Sequence, residues 1–356
     1  MSDQPKVPDP SNWSCPAPVM PVETVQVAHG GGGRMSQKLV ETIFLPALRN
    51  PALEMLHDGA MLSLPPGRVA FSTDSYVIDP IFFPGGDIGS LSVHGTVNDL
   101  AMCGARPLHL SAAFIIEEGL PLSDLRRIVE SMARAAAGAG VTIVTGDTKV
   151  VDRGKGDKIF INTTGIGVIP DGIDISPLRA RPGDVVIVSG EIAVHGIAIL
   201  SVRQGLQFET EMVSDSACLN GLVGAALDVA GADVHVLRDP TRGGVASALN
   251  EIATAASVSI ELEEMAIPVN DAVRGACEIL GLEPLYVANE GRFVCILPAD
   301  QADRALEIMT RTVPGGPPAL IGHVRAAPAG QVTLRSVIGA ERILDRLSGE
   351  QLPRIC

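Results

Sequence analysis

Cys356 closes the short polar segment Gly349-Glu-Gln-Leu-Pro-Arg-Ile-Cys356, and its type and position suit covalent chemistry. A soft sulfur at the end of a tail can be loaded, swung and unloaded without disturbing a core. Pro353 keeps the preceding helix from continuing in regular form, and an extended run from Gly349 to Cys356 reaches roughly 25 Å. Arg354 favours the thiolate and a terminal carboxylate opposes it, so the thiol pKa stays open. The ordinary reading of such a terminus is disorder. A C-a-a-X lipid signal is excluded, because there the Cys stands fourth from the end. Cys15, Cys103, Cys218, Cys277 and Cys295 form no C-x-x-C pair, which argues against a zinc knuckle or a thioredoxin-type centre. Those within apolar stretches read as buried small hydrophobes.

A second group is acidic. Asp74 in Ser-Thr-Asp-Ser, Asp87 in Pro-Gly-Gly-Asp-Ile-Gly, Asp99 in Val-Asn-Asp-Leu-Ala, Asp147 in Thr-Gly-Asp-Thr-Lys and Asp239 in Arg-Asp-Pro-Thr-Arg-Gly-Gly stand in turn-prone settings beside strand-like apolar residues. Taken singly, each Asp is as well explained as a helix cap or an Asx-turn. Taken together they favour a site for Mg²⁺ or a nucleotide, because hard oxygen ligands must converge with waters and phosphate oxygens. The run Gly30 to Gly33 is either a flexible linker or a loop bringing backbone N–H groups against phosphates. Arg34 favours the second. No G-x-x-x-x-G-K-[ST] occurs, so a P-loop ATPase is excluded. Lys149 lies beside Asp147 at the end of an apolar strand. Asn289-Glu290-Gly291 interrupts another strand-like stretch as a turn, where Glu290 can serve as a base beside a low-dielectric surface. His94 and His195, on predicted helices, read first as structural histidines.

The elements that must position these groups interleave. Strands are expected at 22–27, 68–78, 108–116, 141–145 and 159–169. Helices are expected from Gly86-Asp87 through Leu100 and from a Ser123 cap to Gly138–Gly140. Around Ser176 to Gly183 the texture changes to Pro-Leu-Arg-Ala-Arg-Pro-Gly, a good boundary. Beyond it come strands at 184–189, 234–237, 259–262, 292–297 and 331–334. Helices are expected at 192–204, 217–230, 245–256, 271–280, 300–312 and 337–347. The reading is an α+β chain with a flexible Pro-rich lead over residues 1–21, an N-terminal domain over 22–175, a C-terminal domain over 176–348 and a mobile tail over 349–356. At 356 residues two domains are the natural expectation. A net charge of −14 argues against nonspecific nucleic-acid binding and an anionic membrane surface. No apolar run is long enough to span a bilayer and the lead carries no apolar signal segment, which predicts a cytoplasmic protein.

The series AHGGGGR, STDSYVIDPIFFPGGDIG, HGTVNDLAMCGARP, TGDTKVV, RPGDVVIVSG, RDPTRGGVA and NEGRF, with a terminal PRIC, closely resembles the HypE family of NiFe-hydrogenase maturation factors. The resemblance runs from about Val22 to Cys356. The family belongs to the ATP-binding superfamily of aminoimidazole ribonucleotide synthetase and selenophosphate synthetase. It implies a two-domain chain whose N-terminal domains pair in a homodimer, with ATP and Mg²⁺ between the domains. Asp74, Asp99, Asp147 and Asp239 would hold the metal. Gly31, Gly32, Gly33, Asp87, His94 and Asp147 would contact ATP. Lys149, Arg242 and Glu290 would face the reacting group, and Cys356 would carry it. The implied partners are the carbamoyltransferase HypF and the HypC–HypD iron scaffold. The implied reaction is ATP-dependent dehydration of an S-carbamoyl group to a thiocyanate that supplies cyanide to iron. Two rival readings are an enzyme phosphorylating a free small molecule, which leaves Cys356 idle, and a non-catalytic carrier, which leaves the carboxylates idle.

Overall fold

The computed structural model describes residues 23–206, 212–312 and 316–346, together with Leu352 and Ile355. The lead over 1–21, Cys15 and Cys356 lie outside the described residues. The strand expected over 22–27 reduces to a clasp, in which Thr24 bridges Pro121 and Val25 exchanges backbone hydrogen bonds with Leu120 and Gly119. A tight turn at Val27–Gly30 and the glycine run then lead into α1 (Arg34–Leu39). That helix continues through one wide turn at Val40–Phe44 into α2 (Leu45–Leu48), and α3 (Pro51–Glu54) follows. The sequence reading contains no helix here. Leu39, Ile43 and Phe44 nevertheless bury the inner side of this run.

The first sheet is built from β1 (Arg68–Tyr76), β4 (Arg106–Glu117), β5 (Thr142–Val151) and β6 (Ile159–Ile169), in the order β1-β6-β4-β5. Between β1 and β4 come β2 (Phe82–Phe83), β3 (Gly86–Asp87) and α4 (Ile88–Met102). Helix α5 (Leu122–Ala139) joins β4 to β5 and starts directly after its N-cap Pro121, two residues earlier than a Ser123 cap would allow. Alternation decides which face is covered. Leu110, Ala112, Phe114 and Ile116 of β4, with Ile159 and Ile161 of β6, pack with Leu91, Val97, Ile128 and Met132 of α4 and α5. Positions of the other parity, Val69, Phe71 and Ile115, remain exposed. One face of this sheet is therefore helix-covered, and the other is open and partly apolar.

The second sheet contains β7 (Asp184–Val188), β8 (Val236–Arg238), β9 (Ser259–Glu263), β10 (Val294–Pro298), β11 (Ala319–Arg325), β12 (Gln331–Arg335) and β13 (Glu341–Ile343), ordered β13-β12-β9-β11-β7-β10-β8. Its helices are α6 (Val194–Gln204), α7 (Asn220–Ala230), α8 (Gly244–Ala256), α9 (Asp271–Leu280) and α10 (Ala302–Thr312). All five residues of β7 are buried, as a strand covered on both faces requires. Val186 and Val188 pack with Val245 and Leu249 of α8, whereas Val185 and Ile187 pack with Val223 of α7 and Met309 of α10.

Four local expectations need correction. The helix expected over 337–347 is a turn followed by β13. Gly339 adopts φ 81°, and Ser336 and Ala340 close the hairpin through backbone bonds. Asp74 does not break a strand, because β1 runs through it with nine consecutive pairs to β6. Asp99 lies inside α4 rather than in a turn. Thr145 to Lys149 belongs to the ladder of β5 with β4 rather than to a loop beyond it. In each acidic case a continuous backbone ladder or helix outweighs the local turn preference of Asp.

Candidate active site

The acidic and basic candidates separate into two groups. Asp74, Asp99, Asp239, Arg242 and Glu290, with Gly95, line one cavity of about 320 Å³. It lies between the helix-covered side of the first sheet and the second unit. Asp74 comes from β1, Asp99 from the last turn of α4, and Asp239 and Arg242 from the loop after β8. Glu290 comes from the turn before β10 and is 3% exposed. The Ser72 hydroxyl donates to Asp99 at 2.6 Å, and Arg242 stands 3.5 Å from Asp74. Burial pushes the Asp239 carboxyl up to about 7, with the Asp99 charge adding to the shift. Burial also raises Asp99, Ser72 counters this, and the Asp74 charge adds to it. Such mutual repulsion is relieved by a cation.

Among the described residues no group of three or more His, Cys, Asp or Glu encloses a metal-sized space. The carboxylates ring the cavity without forming a closed cage. That arrangement fits Mg²⁺, which keeps several waters and takes one or two carboxylates together with phosphate oxygens. It does not fit an ion held by protein alone.

Asp147 and Lys149 stand elsewhere, on β5. They are 3.3 Å apart and largely exposed, and the Asp147 carboxylate also accepts from Thr148 N at 2.8 Å. They line a second cavity of about 310 Å³ whose apolar wall includes Leu39, Phe44, Phe114 and Ile143. Gly30 and Gly32 line the same cavity, and Gly30 packs its backbone directly on Val150 of β5. Gly31 and Gly33 are exposed in the turn that enters α1. β1 and β5 are opposite edges of one four-stranded sheet. At the usual strand spacing they stand about 14 Å apart. In register Asp147 is opposite Ala113, of the parity that faces the open side. A single chain therefore does not bring Lys149 to Glu290 or Asp147 to Asp74, Asp99 and Asp239.

Two further candidates line neither cavity. Asp87 is the N-cap of α4, and its carboxylate accepts from Gly89 N at 2.8 Å and Ser90 N at 3.0 Å. Its oxygens serve the unpaired amides of the first turn. His94, on α4, contacts the Ser216 hydroxyl through Nδ1 at 2.9 Å, and burial lowers its pKa to about 4. It is neutral at pH 7.

Residues that the sequence reading missed hold the site together. Asn98 receives Leu219 N on its oxygen and donates to the carbonyls of Ala217 and Glu290. Asn289 accepts from Ala193 N and donates to Pro240 O and Val287 O. The adjacent polar pair Asn98-Asp99 near the end of α4 was the available signal. His195 is fully buried, with its Nδ1 2.7 Å from Ser214 Oγ and its Nε2 2.8 Å from the Ile355 carbonyl. Ile355 is itself 6% exposed. Of the internal cysteines, Cys277 and Cys295 are buried as expected, Cys218 is half-buried, and Cys103 is exposed. Its thiol sits at the C-terminal cap of α4, and although the residue is exposed, partial desolvation of the sulfur, with the nearby charges of Asp99 and Asp239, raises its pKa.

Comparison with known proteins gives a consistent picture. The family model described as AIR synthase related protein, N-terminal domain, matches residues 56–169, and its C-terminal domain counterpart matches residues 181–335. Carbamoyl dehydratase HypE of Azotobacter vinelandii is 56% identical over 333 residues, which cover 94% of this chain and 97% of that protein. A crystal structure of the hydrogenase maturation protein HypE in complex with ATP is 53% identical, with a TM-score of 0.90 over 94% of this chain and 100% of that one. The crystal structure of a HypE–HypF complex aligns with a TM-score of 0.76 at 48% identity, covering 87% of this chain and 99% of that one.

Proposed function

The chain belongs to the HypE family of carbamoyl dehydratases that serve hydrogenase maturation, and we propose that the cavity ringed by Asp74, Asp99, Asp239 and Glu290 is where an S-carbamoyl group on Cys356 loses water. The observation that carries this reading is the gathering of three carboxylates, a cation and a buried Glu from four separate segments around one cavity. An amide oxygen is a poor leaving group in water. Transfer of the γ-phosphoryl group of ATP to that oxygen, with loss of one N–H proton, gives an S-bound imidate phosphate and ADP. Cleavage of its C–O bond, with loss of the second N–H proton, gives S–C≡N and inorganic phosphate.

In this reading Glu290 takes the N–H proton, and its small exposure keeps bulk water from competing. Arg242 faces the charge that accumulates on the transferred group. Asp74, Asp99 and Asp239 would hold Mg²⁺, whose chemistry when bound is neutralisation of phosphate charge. Asp147 and Lys149 contribute from β5, with Gly31, Gly32 and Gly33 beside them. The apolar wall of their cavity suits the adenine base. Asp87 takes part as the cap that fixes α4, and His94 as the neutral imidazole that ties α4 to Ser216.

The distance between the two cavities is the reason to include a homodimer. The open face of the first sheet carries Val69 at 47% and Phe71 at 71% exposure, more apolar area than a sheet face leaves to water without cause. Pairing of two N-terminal domains, residues 22–175, through this face would cover it and set the β5 group of one copy beside the β1 group of the other. HypF as the carbamoyl donor, the HypC–HypD complex as the acceptor of cyanide, and a cytoplasmic setting complete the reading. The four described cysteines are all free thiols, as in a reducing compartment.

Intact-mass analysis after incubation with HypF, carbamoyl phosphate and ATP tests it. The carbamoyl adduct should form and then lose one water when ATP is present. Cys356→Ala should bind ATP yet gain no adduct. Glu290→Gln should accept the carbamoyl group but dehydrate it slower by about 10²–10⁴, the usual worth of a general base. An adduct on Cys356→Ala, at the exposed Cys103 for instance, would remove Cys356 from the reaction.

A further inference from the structure

The described part of the tail is not free in solvent. Ile355 is buried in the cluster that also contains Ile199 of α6 and Ala288, and Leu352 packs close to Gly196. Its anchor is polar. The carbonyl of Ile355 is an acceptor only, so the Nε2 atom of His195 must carry the hydrogen of this 2.8 Å bond. That choice leaves Nδ1 as an acceptor for the Ser214 hydroxyl at 2.7 Å. Ser214 Oγ in turn accepts from Ser216 N at 3.1 Å, and Ser214 N donates to Pro84 O at 2.8 Å. The edge of the imidazole ring meets Phe83, with ring centroids 5.8 Å apart. Position and ring plane of His195 are thus set by Ser214 and Phe83, which do not belong to the tail, and the Ile355 carbonyl fixes the tautomer.

We propose that His195 is a positioning residue, a latch that holds the main chain of the tail one residue before Cys356 and so biases the tail toward its docked state. The idea rests on the reading that Cys356 carries the reacting group. A carrier residue faces two demands, exposure for loading and shelter for dehydration. A latch worth about one buried hydrogen bond serves both. When the tail leaves, the fully buried imidazole loses the acceptor of its N–H, so the undocked state is penalised without being forbidden. Apolar packing of Ile355 alone would set no register along the tail, whereas a bond to one carbonyl does.

The test uses the full chain. The rate at which iodoacetamide alkylates Cys356 is followed by peptide-resolved mass spectrometry in the parent, in His195→Phe and in His195→Gln. Phe keeps the ring against Phe83 and removes the donor, and Gln restores an N–H. Loss of one hydrogen bond predicts alkylation about tenfold faster in His195→Phe, with part of the protection returned in His195→Gln. ATP affinity should stay at the parent value. Dehydration of preloaded Cys356 should slow by a similar factor while loading by the carbamoyltransferase does not, a split that a merely structural defect would not produce. Parent-rate alkylation in His195→Phe overturns the latch. If that variant does not fold, His195→Asn decides, because its shorter amide can still meet Ser214 but falls short of the Ile355 carbonyl, with faster alkylation supporting the latch and an unchanged rate overturning it. The alkylation assay needs no carbamoyl chemistry. Tenfold faster alkylation together with a parent that never dehydrates would therefore sink the proposed function and leave the latch standing.

Discussion

His94, which lines neither cavity, shows how a residue of α4 is tuned by surroundings rather than by type. Its imidazole sits between α4 and the segment carrying Ser216, and burial lowers its pKa from 6.5 to about 4. A base whose folded pKa is lowered destabilises the fold where the unfolded chain binds the proton and the folded chain does not. The neutral ring's contribution is thus fully present above pH 6.5 and lost as pH falls toward 4. The loss amounts to on the order of 2–3 kcal/mol. His94→Asn keeps an acceptor for Ser216 and removes the titration. Thermal unfolding of parent and variant between pH 8 and pH 4 should show the parent losing stability more steeply below pH 6.5. Parallel curves would mean that His94 is more open to solvent than its place in the fold suggests. Asp99 and Asp239 carry the opposite strain, carboxyls raised first by burial and then by neighbouring charge, Asp74 on Asp99 and both Asp99 and Asp74 on Asp239, which is the charge arrangement a bound cation relieves.

At the scale of elements, α4 does most of the positioning. Its N-terminus is capped by Asp87, its middle contributes Gly95 and Asn98, and its last turns present Asp99 to the cavity. Ala101 and Met102 at its C-terminal end pack into the core of the second unit with Val185 and Ile187. The turn before β10 is the matching piece. Asn289 is bonded on three sides, and Gly291 lies so close to the segment before α7 that a Cβ there would come within 1.7 Å of Asp215 O. Neither backbone can retreat, because Glu290 N donates to Asp215 and Asn98 donates to Glu290 O. Gly291→Ala should therefore destabilise the protein by about 3 kcal/mol or more, beyond the usual range for a single added methyl. Urea unfolding measures this. A loss under 1 kcal/mol would show that the turn can shift, and Glu290 would then be less rigidly held than a base requires.

For the whole molecule the open face of the first sheet is the decisive feature. Phe71 lies at its edge, 71% exposed on β1. If two copies pair there, Phe71 has the character of an interface anchor, and Phe71→Arg should weaken association by about 2 kcal/mol, or some thirtyfold. Analytical ultracentrifugation over a concentration series would read the change. ATP affinity should fall with the dimer fraction, because the β1 and β5 groups are then no longer brought together. A dimer of parent strength in Phe71→Arg, or full ATP affinity in a monomer, would separate nucleotide binding from pairing through this face.

The sequence by itself determined the α+β character, the residues proposed for the chemistry, and the family to which the chain belongs. Alternation in β4, the apolar stripe of α5 and turn residues such as Gly140 are local signals, and short-range physics reads them correctly. Motif order is also legible along the chain, so Asp74, Asp99, Asp239, Arg242 and Glu290 stand out as candidates from the sequence alone. What they do was only partly legible. Asp87 and Asp99 look alike in sequence, yet one caps a helix and the other rings a cavity. That difference depends on which neighbours fold against each carboxylate, a matter of long-range packing. The separation of Asp147 and Lys149 from the other charges was equally invisible, since it follows from strand order, and β1 and β5 become opposite edges only when β6 and β4 insert between them. The contact of His195 with Ile355 joins residues 160 positions apart. No periodicity or motif spans that gap, and only the closed tertiary structure brings the two together.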